Sequence, residues 1–397
     1  MSPCGNDVGT FFANLLAARS GIGRHSKVFP EDNSSWLTAE VPAFSTGEFT
    51  KMRLGTLDRT TLLALLTARQ ALADAHLNVA HKDRAAVYWG TGLGGATTME
   101  ESYRLSLGNA NARIKPATVV MTMNNAAASE ISLDTGFTGP TYTYSIACSS
   151  AAIGIGEALR AIRNGYCDCA IAGGADSLLT LGSLKAWRAL QTLAREDAAA
   201  PSTSCRPFAA DRSGFVLGEG AGAIVLEDAE AAQARGAKIY AELAGFGSTS
   251  DASHITKPSA EGQVRAIHMA LNDAHLTPAD IGYINAHGTA TAVGDLVESN
   301  AIKTAFGDAA ARVPVSSTKA LHGHLMGATG VVEFIATLLA MQHNVIPPTA
   351  HLIKPDPQCD LDYVPNTARS GVTLNAVMSN SFAFGGNNAV LVAKRYR

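Results

Sequence analysis

Cys148 sits in TYSIACSSAAIGIGEALRAIRNG, where an extended run ends and a long helical pattern begins. A sulfur at such a junction lies near backbone amides and the positive end of a helix, which lowers a thiol pKa and favours the thiolate. The neighbours Ala147, Ser149, Ser150 and Ala151 are small and leave room for a substrate. Taken alone, a small-flanked cysteine reads more simply as a buried hydrophobe. Three further stretches change that balance. NAHGTATAVGD places His287 after a strand and before a glycine turn, and STKALHGHLMGATG supplies Lys319, His322 and His324 before an apolar helix. SNSFAFGGNN sets Phe384 beside Gly385 and Gly386, where backbone amides can approach a ligand closely. A thiol and two neutral imidazoles suit acyl transfer. The thiol carries the acyl group as a thioester, and the imidazoles donate hydrogen bonds to a developing enolate or oxyanion. With no Cys/His cluster nearby, His322 and His324 do not amount to a zinc site.

These groups need a frame. Residues 57–77, LDRTTLLALLTARQALADAHL, have helical spacing, followed by the strand-like RAAVYWGTGLGG. CDCAIAGGADS and GFVLGEGAGAIVLE read as further buried strands. After residue 240 the pattern restarts with AELAGFGSTSD, the helix EGQVRAIHMALNDA and the strand IGYINAHGT. The helix LVESNAIKTAFG, the strand VPVSSTKA, the helix VVEFIATLLAMQH and the strands TLNAVMSNSF and NNAVLVAKR complete the chain. Alternating buried strands and helices predict an α/β protein with helix-covered sheets, in halves spanning 1–240 and 241–397 without a strict sequence repeat. The glycines of GTGLGG have the wrong spacing for a dinucleotide loop.

Composition narrows the class. The 397 residues are 47% hydrophobic and 16% charged with 37 glycines, as in a compact enzyme rather than a disordered or fibrous chain. The net charge is -3 and there is no Lys/Arg block, so no nucleic-acid surface is expected. The six cysteines show no CxxC spacing, and a reducing compartment is the simplest setting. The first residues lack the basic start and apolar core of a secretion signal, and no run would span a bilayer, so a cytoplasmic location is expected.

The ordered motifs YWGTGLGG, ACSSA, NAHGTATAVGD, TKALHGHLMGATG and NSFAFGG resemble those of the β-ketoacyl-acyl carrier protein synthases, over nearly the whole chain. The pattern is similar to the elongating synthases of fatty acid and type II polyketide systems, whose Cys-His-His differs from the Cys-His-Asn of the initiating branch. The resemblance implies a thiolase-like fold of two similar halves in an αβαβα stack, and decarboxylative condensation of malonyl-carrier with an acyl group on Cys148. It implies that His287 and His324 support decarboxylation and hold the enolate, that Lys319 orders the site's electrostatics with Glu298 as its carboxylate partner, and that Thr289 and Thr291 bind the phosphopantetheine arm. The amides of Cys148 and Phe384 resemble the oxyanion hole, and Phe384 resembles the gate to the malonyl pocket. No cofactor is required beyond the carrier's own phosphopantetheine. An optional structural cation is implied at Asn285 and Glu333, with backbone oxygens near Ser379 and Asn380.

Departures from the family pattern point to a specialised polyketide or polyene pathway rather than housekeeping fatty acid synthesis. His322 stands where a threonine is usual and would add a donor in the malonyl pocket. Ala292 replaces a proline, Ala383 a glycine, whose Cβ would stiffen its loop, and Asn387 a threonine. The implied partners are an acyl carrier protein, for which Lys51, Arg53, Arg59 and Arg195 are candidate contacts, and either a second copy or a chain-length-factor-like homologue. Residues 111–135, with Met121 and Met123, would line an acyl tunnel or a dimer interface. Two rivals are a thiolase, which would need a second late cysteine, and a non-catalytic partner subunit, which would commonly lack Cys148.

Overall fold

The computed structural model describes residues 1–27, 29, 32, 34–109 and 111–396. One sheet contains β1 (Ala85–Gly90), β2 (Thr141–Tyr144), β3 (Cys169–Asp176) and β4 (Gly220–Glu227), in the order β2-β1-β3-β4. β1 runs parallel to β2 and β3, and β4 is antiparallel to β3. Every residue of β1 and β3 is buried, as continuous apolar runs require when a sheet is covered on both faces.

The second sheet contains β5 (Glu242–Ser250), β6 (Tyr283–Asn285), β7 (Val315–Ser316), β8 (Ala376–Ala383) and β9 (Asn387–Lys394), in the order β7-β6-β8-β9-β5. Its β7-β6-β8-β9 portion repeats the pairing pattern of the first sheet: β6 is parallel to β7 and β8, and β9 is antiparallel to β8. The halves share a topology without sharing a sequence repeat.

Helices build the other layers and flank the cavity described below, among them α1 (Arg59–Ala75), α2 (Ser150–Arg163), α3 (Leu181–Ala189), α4 (Ala260–Asp273), α5 (Ala292–Phe306) and α6 (Thr329–His343). α2 and α6 lie between the sheets, α2 against β1 and β3 and α6 against β4 and β8. α1 covers the outer face of the first sheet, and the paired α4 and α5 cover the second. The result is the αβαβα stack of a thiolase-like fold. Ten of the fourteen residues of α2 are buried, because a helix between two sheets has almost no solvent face. Each large apolar side chain buried this way contributes about 1.5–3 kcal/mol.

The sheets differ at one edge. β5 pairs antiparallel along β9, whereas among the described residues β4 carries only Met1 beside it, with the Met1 amine donating to the Ala221 carbonyl and the Ala221 N–H donating back, each at 2.9 Å. Beyond Met1 that edge borders a cavity of about 540 Å³ lined by Phe11, Ile224, Leu226, Tyr240 and Leu338. Among the described residues no helix is long and apolar enough to cross a membrane.

Candidate active site

The turn between β2 and α2 presents Cys148. Ala147 has φ 45°, a left-handed conformation that costs a non-glycine residue about 1–2 kcal/mol, and it turns the chain sharply into the Ala147–Ser149 3-10 turn. Ser150 Oγ clamps that turn, accepting from the Ile146 N–H at 2.8 Å and donating to the Ala147 carbonyl at 2.7 Å. Gly90, at the end of β1, lets the strand meet the start of α2; a Cβ there would lie 2.3 Å from the Ala151 nitrogen. The cysteine is thereby held at the base of a cavity of about 840 Å³, with His287, His324, Thr289, Trp187 and Phe384 among its walls.

His287 follows β6. Both oxygens of Glu298, on α5, accept backbone N–H groups of this turn, from His287 and Gly288 at 2.8 Å each. Lys319 approaches from the other side. Its ammonium donates to Glu333 Oε1 at 2.6 Å and to the His287 carbonyl, and stands 3.5 Å from His287 Nδ1. His324 Nδ1 accepts the Met326 N–H at 3.1 Å and lies 2.9 Å from Thr329 Oγ1. Donors therefore face Nδ1 of both imidazoles, which assigns the ring hydrogen to Nε2 in each and makes both rings donors through that atom. The Cys148 sulfur and one nitrogen from each of His287 and His324 lie within 4.8 Å of one another, and the two rings meet edge to face at 5.5 Å.

Burial, reinforced by the Lys319 charge, holds both imidazoles well below their ordinary pKa, so they are neutral. Burial also pushes the Cys148 thiol up, to about 11, against the opposing pull of Lys319 and of the Phe384 and Cys148 backbone N–H groups. This corrects the expectation of a lowered thiol pKa: the amide donors and helix end are in place, but desolvation outweighs them. The same two amides converge on the sulfur, where an oxyanion hole is expected.

Two further expectations change. The carboxylate paired with Lys319 is Glu333, not Glu298, because Glu298 spends both oxygens on the His287 turn and on Asn380 Nδ2 at 3.2 Å. His322 adds no donor to the cavity. Its two ring nitrogens lie 2.8 Å from the Gly323 carbonyl and 2.9 Å from Thr318 Oγ1, and the ring is fully buried away from the cavity wall. Ala383 ends β8 in register with Asn387, so its Cβ sits in ordinary strand geometry, and the turn's left-handed positions fall on Gly385 (φ 86°) and Gly386 (φ 69°).

The remaining predicted residues divide. Thr289 and Thr291 line the cavity with their hydroxyls 2.9 Å apart, and Thr291 also caps α5 by accepting the Gly294 N–H at 3.2 Å. Arg53 and Arg59 are committed to Glu130 and Glu219, whereas Lys51 is exposed and Arg195 lines the cavity. Met121 is buried, and Val119, Val120 and Met123 form exposed apolar surface outside this cavity. Glu333 Oε2, Ser379 Oγ, Asn380 Oδ1 and both amide atoms of Asn285 are buried without a hydrogen-bond partner. Such orphaned oxygens are a donor set that fits a hard cation.

Asp176 was missed, although an acid closing the apolar strand CAIAGGAD is visible in the sequence. Fully buried, with its carboxyl raised to about 6 by desolvation, it accepts from Thr91 Oγ1 and the Gly92 N–H at 2.8 Å and from the Gly327 N–H at 2.5 Å. It thus ties the end of β1 to the turn after His324.

Residues 1–232 match the model of the beta-ketoacyl synthase N-terminal domain, and residues 240–353 match that of the C-terminal domain. The chain is 42% identical over its whole length to 3-oxoacyl-(acyl-carrier-protein) synthase 2 of Staphylococcus aureus, covering 96% of that protein. It is 38% identical to the synthase of the same name from Synechocystis, again over the whole chain and 96% of the relative. Among solved structures it is similar to the ishigamide ketosynthase/chain length factor, with TM-score 0.92 and 33% identity over all of this chain and 97% of that one. It is also similar to a type II polyketide ketosynthase solved with its acyl-carrier protein, with TM-score 0.90 and 29% identity over the same shares.

Proposed function

This chain belongs to the beta-ketoacyl synthase family and is a condensing acyltransferase, and from that premise we propose that it extends acyl chains in a specialised polyketide or polyene pathway with Cys148 as nucleophile. The observation that carries the assignment of roles is the convergence of the Cys148 sulfur with His287 and His324 within 4.8 Å at the base of one cavity.

The reaction proceeds in two halves. The Cys148 sulfur attacks an acyl-pantetheine thioester while the Cys148 and Phe384 amides hold the oxyanion, and the thiol proton departs with the pantetheine thiol. Malonyl-carrier then enters along Thr289 and Thr291. Neutral His287 and His324 donate through Nε2 to the malonyl thioester oxygen; carbon dioxide leaves, and the enolate they hold is the nucleophile for the second bond. Its carbon attacks acyl-Cys148, the carbon–sulfur bond breaks, and the released thiolate regains a proton, as its raised pKa favours. Burial keeps the imidazoles neutral, and the charge of Lys319, anchored by Glu333, adds to it. A cation, when bound, would be held by Asn285, Glu333, Ser379 and Asn380, and would add fixed positive charge behind the site.

We divide the chain at 240/241, with the nucleophile in the first half and the histidines and lysine in the second. The partner is an acyl carrier protein, with exposed Lys51 and Arg195 candidate basic contacts for its acidic surface. The exposed Val119, Val120 and Met123 suit an interface with a second copy or a homologous chain-length factor. A thiolase role is disfavoured because the late cysteine, Cys359, packs in the core beneath α4 and α5 rather than beside Cys148.

The pathway rests on the likeness to the ishigamide and type II polyketide ketosynthases. The 42% identity to the Staphylococcus synthase favours fatty acid elongation as the alternative. Turnover with saturated, polyene and poly-β-keto acyl-carriers separates them. Preference for a polyene or poly-β-keto chain supports the proposal, and preference for saturated chains establishes elongation.

A further inference from the structure

We propose that Trp187 is a specificity-determining latch that holds Phe384 closed over Cys148 until an acyl chain occupies the site. The inference rests on the reading of Phe384 as the gate and adds the residue that sets its position. Trp187 lies on α3 and lines the same cavity as Cys148 and Phe384. Its ring stacks on Phe384 at 5.9 Å with 23° between the planes, and meets Phe215 edge-on at 5.4 Å. Phe215 in turn packs edge-on against His324 at 5.1 Å. One continuous aromatic path therefore joins the gate to a histidine of the site.

The two ends of the Trp187–Phe384 contact differ in freedom. α3 is fixed: Leu181 and Leu184 are buried in the cluster around Cys148, and Arg188 stacks at 3.9 Å on the buried Trp36 ring. Phe215 is fixed by backbone bonds, from its N–H to the Thr192 carbonyl and from the Ala194 N–H to its own carbonyl. Phe384, by contrast, opens a turn whose anchors lie beyond it, from the Gly385 N–H to the Ile255 carbonyl at 2.7 Å and from the Asp251 N–H to the Gly386 carbonyl at 2.8 Å, so the freedom at this end is that of the half-buried Phe384 ring. The movable partner is thus Phe384, and the rigid one is Trp187. Cys148 and both rings of the pair line one cavity, so an acyl chain that runs along this wall has to part them, and its width and stiffness set how readily it does.

The test measures alkylation of Cys148 by iodoacetamide in the intact protein, for the parent chain and for Trp187→Phe, Trp187→Leu and Phe384→Ala. Trp187→Leu keeps apolar bulk without a ring and should raise the alkylation rate roughly two- to ten-fold, the shift one aromatic pair supplies. Trp187→Phe keeps a ring and should stay near the parent rate. An unchanged rate in Trp187→Leu while Phe384→Ala accelerates overturns the latch and leaves the gate standing. An unchanged rate in Phe384→Ala overturns the gate reading itself. A Trp187→Phe rate equal to that of Trp187→Leu also overturns the latch, since stacking would then have no role.

Discussion

Lys319 and Glu333 form a fully buried ion pair, 2.6 Å from Nζ to Oε1, and the same ammonium grips the carbonyl of His287. The pair sets the charge of the site from behind its reacting groups. Burial holds the Glu333 carboxyl up at about 7 even against its cation.

Removing the cation should therefore be costly in a pH-dependent way. Lys319→Met leaves Glu333 buried without its partner, a loss of about 3–5 kcal/mol for a broken buried pair. A carboxyl whose folded pKa is raised contributes stability below its unfolded value of 4.5 that is lost as pH rises through the folded value. Without Lys319 that folded value climbs further, so the melting-temperature deficit of Lys319→Met should grow between pH 6 and pH 8. Lys319→Met/Glu333→Gln should recover most of the stability without recovering condensation. Equal deficits at both pH values would contradict the pairing.

The thiol gives a sharper pH test. With Cys148 pushed up to about 11, its alkylation rate should rise about tenfold per pH unit from 7 through 9 with no plateau. The histidines act in the opposite sense. Both are held below 6.5, so malonyl decarboxylation should show no inflection near pH 6.5 and should fall only in more acidic solution. Their contribution to stability likewise declines as pH drops below 6.5, because only the unfolded chain then gains the proton. An alkylation plateau below pH 9 would show that the amides and Lys319 outweigh desolvation.

Cys148→Ala separates the two half-reactions. Condensation should fall by at least about 10³-fold, as when a covalent nucleophile is lost, and the acyl-enzyme mass increment should vanish. Decarboxylation of malonyl-carrier should persist, because the proposed mechanism gives the donors to the malonyl oxygen to His287 and His324. Loss of decarboxylation together with condensation would mean that the sulfur takes part in both.

What the sequence made legible follows from how local each feature is. Cys148, His287, Lys319 and His324 stand out in the sequence as candidates because each sits at a strand or helix boundary where polar chemistry is out of place in a core, and their meeting in space is the part that only the fold supplies. The choice of Glu333 over Glu298 was not readable. Both are buried acids on helices, and only the packing of α6 against β8 brings Glu333 to the ammonium while α5 turns Glu298 to the His287 turn. His322 misled for the same reason: its place two residues before His324 says nothing about which way a one-turn helix points its ring. The sign of the Cys148 shift was also beyond reach, since the turn's donors can be inferred locally but the depth of burial is set by two sheets and their shared helices. The α/β class came through because its alternation runs along the chain. The unequal edges of the two sheets did not, because strand order is a long-range property.

Thr289 and Thr291 offer the last separation, between binding and structure. Both residues line the cavity, but Thr291 also caps α5 through the Gly294 N–H. Thr291→Ala should therefore raise the KM for malonyl-carrier and cost about 1 kcal/mol of stability, the usual worth of a helix cap. Thr289→Ala caps no helix and should raise KM with a nearly unchanged melting temperature. Thr291→Ser keeps the capping oxygen and should restore stability first, since the cap needs only an acceptor. A Thr289→Ala variant with the parent KM for malonyl-carrier would remove that hydroxyl from the pantetheine path and leave it as a partner of Thr291 alone.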